Sequence, residues 1–173
     1  MIMPRGSDQL LLPVNPWFIA LTLVAAMLLE MLPLGRHPAA PDLLALVLVF
    51  WNVHQPRRVS VGLAFVVGLV MDVHQAAVLG QHALAYTFLS FLAVTVHRRV
   101  LWFSLSAQAL HVLPIFVAGH AASLFARLIA GGMFPGWWLL AAPLLEAMLW
   151  PAVVKLLLAP QRRAPNPDQN RPL

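Results

Sequence analysis

The sequence predicts an all-α integral membrane protein of about six transmembrane helices, with both termini on the cytoplasmic side. Three observations predict it. Of 173 residues, 61% are hydrophobic and only 10% charged, a balance outside the range of ordinary soluble domains. The apolar residues form successive runs approaching the ~20 residues needed to cross a bilayer, and the joining segments are short. The basic residues, ten Arg and the single Lys155, collect at the ends of those runs. The absence of cysteine excludes disulfides, cysteine-ligated zinc, iron–sulfur clusters and thiol catalysis.

Residues 1–15 read as a cytoplasmic tail, residues 16–158 as one polytopic transmembrane domain, and residues 159–173, rich in Pro and Asn, as a disordered cytoplasmic tail. The first span runs from about Trp17 to Leu34. Arg5 before it and Ala39-Ala40 after it mimic a signal peptide, but Glu30 interrupts the run, Pro41 follows the small residues and more spans come later, so no cleavage is expected. Pro41 and Asp42 open the second span, with proline where no amide donor is needed and a carboxylate at the positive end of the helix dipole. That span reaches about His54, and the third runs from about Val59 to Val73. At 1.5 Å per residue both are shorter than a ~30 Å hydrocarbon core, which implies a locally thinned bilayer or a re-entrant hairpin.

Residues 76–96 read as a fourth span, ended by His97-Arg98-Arg99. The fifth covers about Val100 to Ala130, with Pro114 as a kink. Gly131 to Gly136 is an uncharged turn, and the sixth span runs from about Trp137 to Leu158 with Pro143 and Pro151 inside it. Six spans starting inside place Arg5, Arg57, Arg58, Arg98, Arg99, Arg162, Arg163 and Arg171 on the cytoplasmic side, against Arg36 alone in the outer connecting loops. These arginines read as topology signals and lipid contacts, not as a nucleic-acid surface. Trp17, Trp51, Trp102, Trp137 and Trp138 lie near span ends, as an interfacial aromatic belt requires.

The topology puts Glu30, Asp42 and Asp72 at outer span ends, together with His37, His74 and Arg127. Ionisable groups at membrane depth are costly, about 2.5–3.5 kcal/mol at mid-helix, so each needs a partner or interfacial water. Ala64, Gly68 and Asp72 are spaced by four on one helix face, where small residues allow another helix to approach closely. On the fifth span Ala118, Ala122 and Ala126 repeat the spacing, and the adjacent ridge Gly119, Ser123, Arg127 ends in a cation. An Asp72–Arg127 pair is therefore expected across a close helix contact. Gly80, Gln81 and His82 read as a polar joint at the start of the fourth span.

Asp72 and His74 point to different faces of a helix and His82 is eight residues on, so no metal-ligand spacing is present and no metal or cofactor is expected. His120 and Ser123 are helical neighbours, but without a glycine-framed serine or an aspartyl dyad they do not make an intramembrane hydrolase. Glu146, between Pro143 and Pro151, reads as an acid that finds a polar neighbour inside the bundle. Solute binding or transport is the second reading of such a residue.

Within residues 41–86, Pro41-Asp42 opens a span, Trp51-Asn52 lies near its inner end, Arg57 or Arg58 sits in the loop, and Gly62 and Phe65, Gly68 with Asp72, and Leu79-Gly80-Gln81-His82-Ala83-Leu84 follow. In these features the segment resembles the rod shape-determining protein MreD family. Span number and length extend the resemblance over nearly the whole chain, the last two spans in pattern only. The resemblance implies a non-catalytic inner-membrane scaffold of the bacterial cell-elongation machinery. Its implied partners are MreC, MreB, and the glycosyltransferase RodA with a penicillin-binding transpeptidase. It also implies a fold like the substrate-binding subunits of energy-coupling-factor transporters, and fold alone does not fix function.

Overall fold

The computed structural model describes residues 14–32 and 39–161. Among these residues there are six α-helices and no strand: α1 (Pro16–Met31), α2 (Leu43–His54), α3 (Val61–His74), α4 (Gln81–Leu101), α5 (Leu105–Ile129) and α6 (Ala141–Leu158). A 3-10 turn, Trp137–Leu140, leads into α6, and a second, Ala159–Gln161, follows it. Leu105–Ile129 and Trp137–Gln161 are long and apolar enough to cross a membrane, whereas α1, α2 and α3 are apolar but shorter.

Three helices start as their sequences dictate. Asn15 Oδ1 accepts from the Trp17 amide at 3.0 Å, with Pro16 in the first turn. Asp42 Oδ1 accepts from Ala45 N at 2.8 Å and Ser60 Oγ from Leu63 N at 3.1 Å. Each side chain satisfies an amide that the helix itself leaves without an acceptor.

Helix α2 forms the centre. It packs against α1, α4 and α6, and nine of its 12 residues are buried. A helix that is apolar on every side belongs inside. Its twelve residues span about 18 Å. Trp51 corrects the expectation of an aromatic belt at this position: it is fully buried, and its indole Nε1 donates to Thr22 Oγ1 on α1 at 2.9 Å. Trp17, Trp102, Trp137 and Trp138 are exposed.

The second half of the chain is shifted from the expected boundaries. Helix α4 begins at Gln81, not residue 76, because Ala76 (φ 48°) and Gly80 (φ 99°) take left-handed conformations. Trp102, Phe103 and Ser104 separate α4 from α5, and α5 then runs unbroken across Pro114. Pro143 falls in the first turn of α6, where a missing amide proton costs least.

Helices α3 and α5 end alike. Ala77 N donates to Asp72 O at 3.0 Å and Ala76 N to Val73 O at 3.3 Å; Gly132 N donates to Arg127 O at 2.9 Å and Gly131 N to Leu128 O at 3.0 Å. Both are the paired 6→1 and 5→2 bonds of a Schellman termination. The left-handed position is Gly131 in one and Ala76 in the other. The chain after α3 then turns back so tightly that a Cβ on Gly68 would lie 2.4 Å from Ala83 Cα, whereas one on Gly62 would meet nothing nearer than Ser60 Oγ at 3.7 Å.

An L-residue in the left-handed region costs about 1–2 kcal/mol, partly offset in glycine by chain entropy. Ala76→Gly should therefore raise the thermal midpoint in detergent, by the equivalent of about 0.5–1 kcal/mol. Gly68→Ala should lower it by about 2 kcal/mol or more through backbone overlap, while Gly62→Ala should leave it unchanged or higher. Equal effects of the two glycine variants would contradict this packing.

Candidate functional site

The acids in the described part of the chain, Glu30, Asp42, Asp72 and Glu146, all lie where even-numbered helices begin. A helix start leaves amide donors unpaired and carries partial positive charge, so a carboxylate there is stabilised by both hydrogen bonds and the dipole. Helix α4 starts on Gly80, which has no side chain to act as a cap. Asp72, near the end of α3, supplies one from outside. Its Oδ2 accepts from Gly80 N at 2.8 Å and from Ala83 N at 3.4 Å, and its Oδ1 from His82 N at 2.7 Å. The ring Nδ1 of His82 lies 2.8 Å from the same Oδ1. Asp72 is 1% exposed, so these bonds replace water entirely.

This arrangement corrects the expected Asp72–Arg127 pair. Both oxygens of Asp72 are taken up by the start of α4, and Arg127 is exposed. Among the described residues the close imidazole–carboxylate pairs are His82–Asp72 and His120–Glu146, each at 2.8 Å.

Helix α2 begins between three carboxylates. Asp42 N donates to Glu146 Oε1 at 2.9 Å, Leu43 N to Glu30 Oε2 at 3.2 Å, and Ala45 N to Asp42 Oδ1. One acid comes from α1, one from the cap position itself and one from α6. Around them Tyr86 OH of α4 donates to Asp42 Oδ2 at 2.6 Å, and His120 Nε2 of α5 lies 2.8 Å from Glu146 Oε1. Five helices are thus joined through the first turn of one.

The remaining named residues fall around this seam. Ala64 and Gly68 are buried on the α3 face that meets α4. Gln81 Nε2 donates to Ser123 Oγ on α5 at 3.1 Å, so Ser123 is partnered across the helices and not by His120. Gly119 faces Leu89 of α4, with an added Cβ 3.1 Å from its Cδ2. Arg57, Arg58, Arg98 and Arg99 are exposed, and Arg58 Nη1 donates to Val14 O at 2.8 Å. Arg162 and Arg163 lie outside the described residues, as do Arg5, Arg36, His37 and Arg171. No group of three or more His, Cys, Asp or Glu suited to a metal ion occurs among the described residues.

Sequence reasoning missed Tyr86, Asn52 and Gln108 as polar ties. Asn52 Nδ2 donates to Ser90 Oγ at 3.0 Å and Trp150 Nε1 to Gln108 Oε1 at 3.2 Å. Tyr86 carried a signal: it is the single tyrosine of the chain and lies one helical turn after His82.

The fold and the seam define a small all-helical protein of apolar helices whose polar side chains close on one another. A family model described as rod shape-determining protein MreD matches residues 12–159. A curated relative, the rod shape-determining protein MreD of Haemophilus influenzae, is 29% identical over 154 residues, covering 85% of this chain and 93% of its own. No solved structure matches. The chain belongs to the MreD family, whose members are membrane-associated shape-determining proteins.

Removing the Asp72 carboxylate strands three amides, that of Ala83 buried and those of Gly80 and His82 partly buried. Asp72→Ala should cost about 3 kcal/mol or more, adding a lost cap to unpaired donors. Tyr86→Phe should cost about 1–3 kcal/mol by leaving one Asp42 oxygen without its donor. Arg127→Ala should stay within about 0.5 kcal/mol of the parent. Thermal unfolding of the three purified variants checks the order, and an Arg127 variant as damaged as the Asp72 variant would restore the ion pair excluded above.

Proposed function

We propose that the chain is a non-catalytic inner-membrane scaffold of the cell-elongation complex, crossing the membrane six times with both termini in the cytoplasm. It links MreC and the peptidoglycan synthase, RodA with its penicillin-binding transpeptidase, to MreB directly or indirectly. Membership of a rod shape-determining family carries this reading. Two physical features support it. Glu30, Asp42, Asp72 and Glu146 are spent on helix starts and Asn52, Gln81, Tyr86 and Gln108 on helix–helix bonds, and the outward faces are apolar: Leu21, Leu28, Phe65, Val66, Phe125 and Met148 are all exposed. Such a chain meets its partners through helix faces and short loops, with close packing in place of a docking domain.

Within this reading Ala64, Gly68, Asp72, Gly80, Gln81 and His82 shape the α3–α4 face offered to a partner, and Arg127 lies beside it. The exposed pairs Arg57-Arg58 and Arg98-Arg99, with Arg162-Arg163, meet anionic lipid heads or an acidic partner surface on the cytoplasmic side.

The second reading, a solute-binding subunit with the fold of energy-coupling-factor substrate-binding proteins, is favoured by the cavity beside Glu146. The readings separate in the cell. Depletion of a scaffold turns rods round, and the tagged protein co-purifies with MreC in mild detergent. Unchanged shape after depletion, with no MreC recovered, would overturn the scaffold; ligand-dependent stabilisation together with a co-purified ATPase module would establish the alternative.

A further inference from the structure

Glu146 is fully buried, and its two oxygens are used unequally. Oε1 faces both Asp42 N and His120 Nε2. Oε2 has no hydrogen-bond partner among the described residues. Such an acceptor calls for an explanation in strain, an ordered water or a bound group; Asn52 Oδ1 and Thr87 Oγ1 share the condition, but neither residue lines the cavity described next. Both Asp42 oxygens, by contrast, hold donors.

Glu146 lines a cavity of about 60 Å³ whose walls include Tyr86, Phe116, His120 and Ser123. A single water needs roughly 10–15 Å³ of such space, so a group the size of an aminomethyl fits. The inner cavity shares His82, His120 and Ser123 with a larger one of about 480 Å³, which also carries Gln81 and Arg127. The two therefore abut along three side chains, with an acid at the inner end and an arginine in the outer compartment.

The lining selects a chemistry. A carboxylate oxygen only accepts, so the entering group must donate. Tyr86 and Phe116 line the same cavity, and a ring face presented to it favours a cation. A bare metal ion needs several converging ligands, and the described residues hold no such group; an organic ammonium needs one carboxylate and room. Arg127, exposed in the outer compartment, attracts an anion there.

We propose that the two cavities together bind a small zwitterion, with its ammonium against Glu146 and its anionic group in the outer compartment near Arg127, Gln81 and Ser123. The same chemistry is carried by a soluble amine-bearing solute and by an ethanolamine phospholipid headgroup. The site does not depend on the scaffold role: depletion reports on cell shape, and the following measurement reports on binding.

The test uses the purified full chain in detergent, with thermal unfolding followed against ethylammonium chloride, glycerophosphoethanolamine and sodium propionate. Glycerophosphoethanolamine should raise the midpoint at the lowest concentration, ethylammonium at about tenfold higher concentration, and propionate not at all, a factor that one charge-assisted contact supports. Glu146→Gln should abolish both responses. Arg127→Ala, an exposed change that leaves folding intact, should shift half-saturation for glycerophosphoethanolamine about tenfold upward and leave ethylammonium unchanged. Responses to propionate equal to those of the amines, no response to either amine, or an Arg127 variant that binds both as the parent does, each overturns the proposal. Nanodiscs then assign the source. If phosphatidylethanolamine discs, and not phosphatidylglycerol discs, remove the response to the soluble probe, the occupant is the lipid headgroup; a response retained in both supports a soluble ligand.

Discussion

A helix start presents amide donors that the helix itself leaves unpaired, and where the bundle half-buries them the protein must supply their acceptors. Helices α2 and α4 both start this way. The first turn of α2 receives Glu30, Asp42 and Glu146, and that of α4 receives Asp72 three times over. Few acids occur in this chain, and those in the described residues are committed to this task. Because the acceptors come from other helices, satisfying the donors also sets which helices are neighbours. The His82, Tyr86 and His120 contacts build outward from those same carboxylates.

What was legible in the sequence follows this division. The start of α2 could be read from Pro41-Asp42, because capping is local and depends on residues three apart. The α3 face could be read from Ala64, Gly68 and Asp72, because helical period is also local. The partner of Asp72 could not. Arg127 offered opposite charge, whereas the structure uses uncharged amides of a turn only eight to eleven residues on, and amides have no letter in a sequence. The shifted start of α4 has the same origin: Ala76 favours helix by composition, and the left-handed φ it adopts is imposed by the turn that brings Gly80 back to Asp72. Trp51 misled for a different reason. Proximity to a span end suggests an interface only for a helix that faces outward, and α2 faces no exterior.

The family assignment gives these contacts a setting. Apolar helices with polar groups turned on one another leave an exterior of aliphatic and aromatic side chains, suited to close helix packing. Glu146 is the exception within that economy. It completes α2 with one oxygen and leaves the other beside a cavity, so one side chain serves the architecture and a candidate ligand site together. A change there touches both, which is why binding must be read from Arg127 as well.

Helix α2 also carries a consequence for biogenesis. Twelve residues reach about 18 Å, too short to stay across a ~30 Å hydrocarbon core unaided. Its first amide waits for Glu146, which leaves the ribosome roughly a hundred residues later. Between those moments the central helix lacks that acceptor. Glu146 of α6 thus completes the first turn of a helix that precedes it by about a hundred residues, so α2 is finished only when α6 docks.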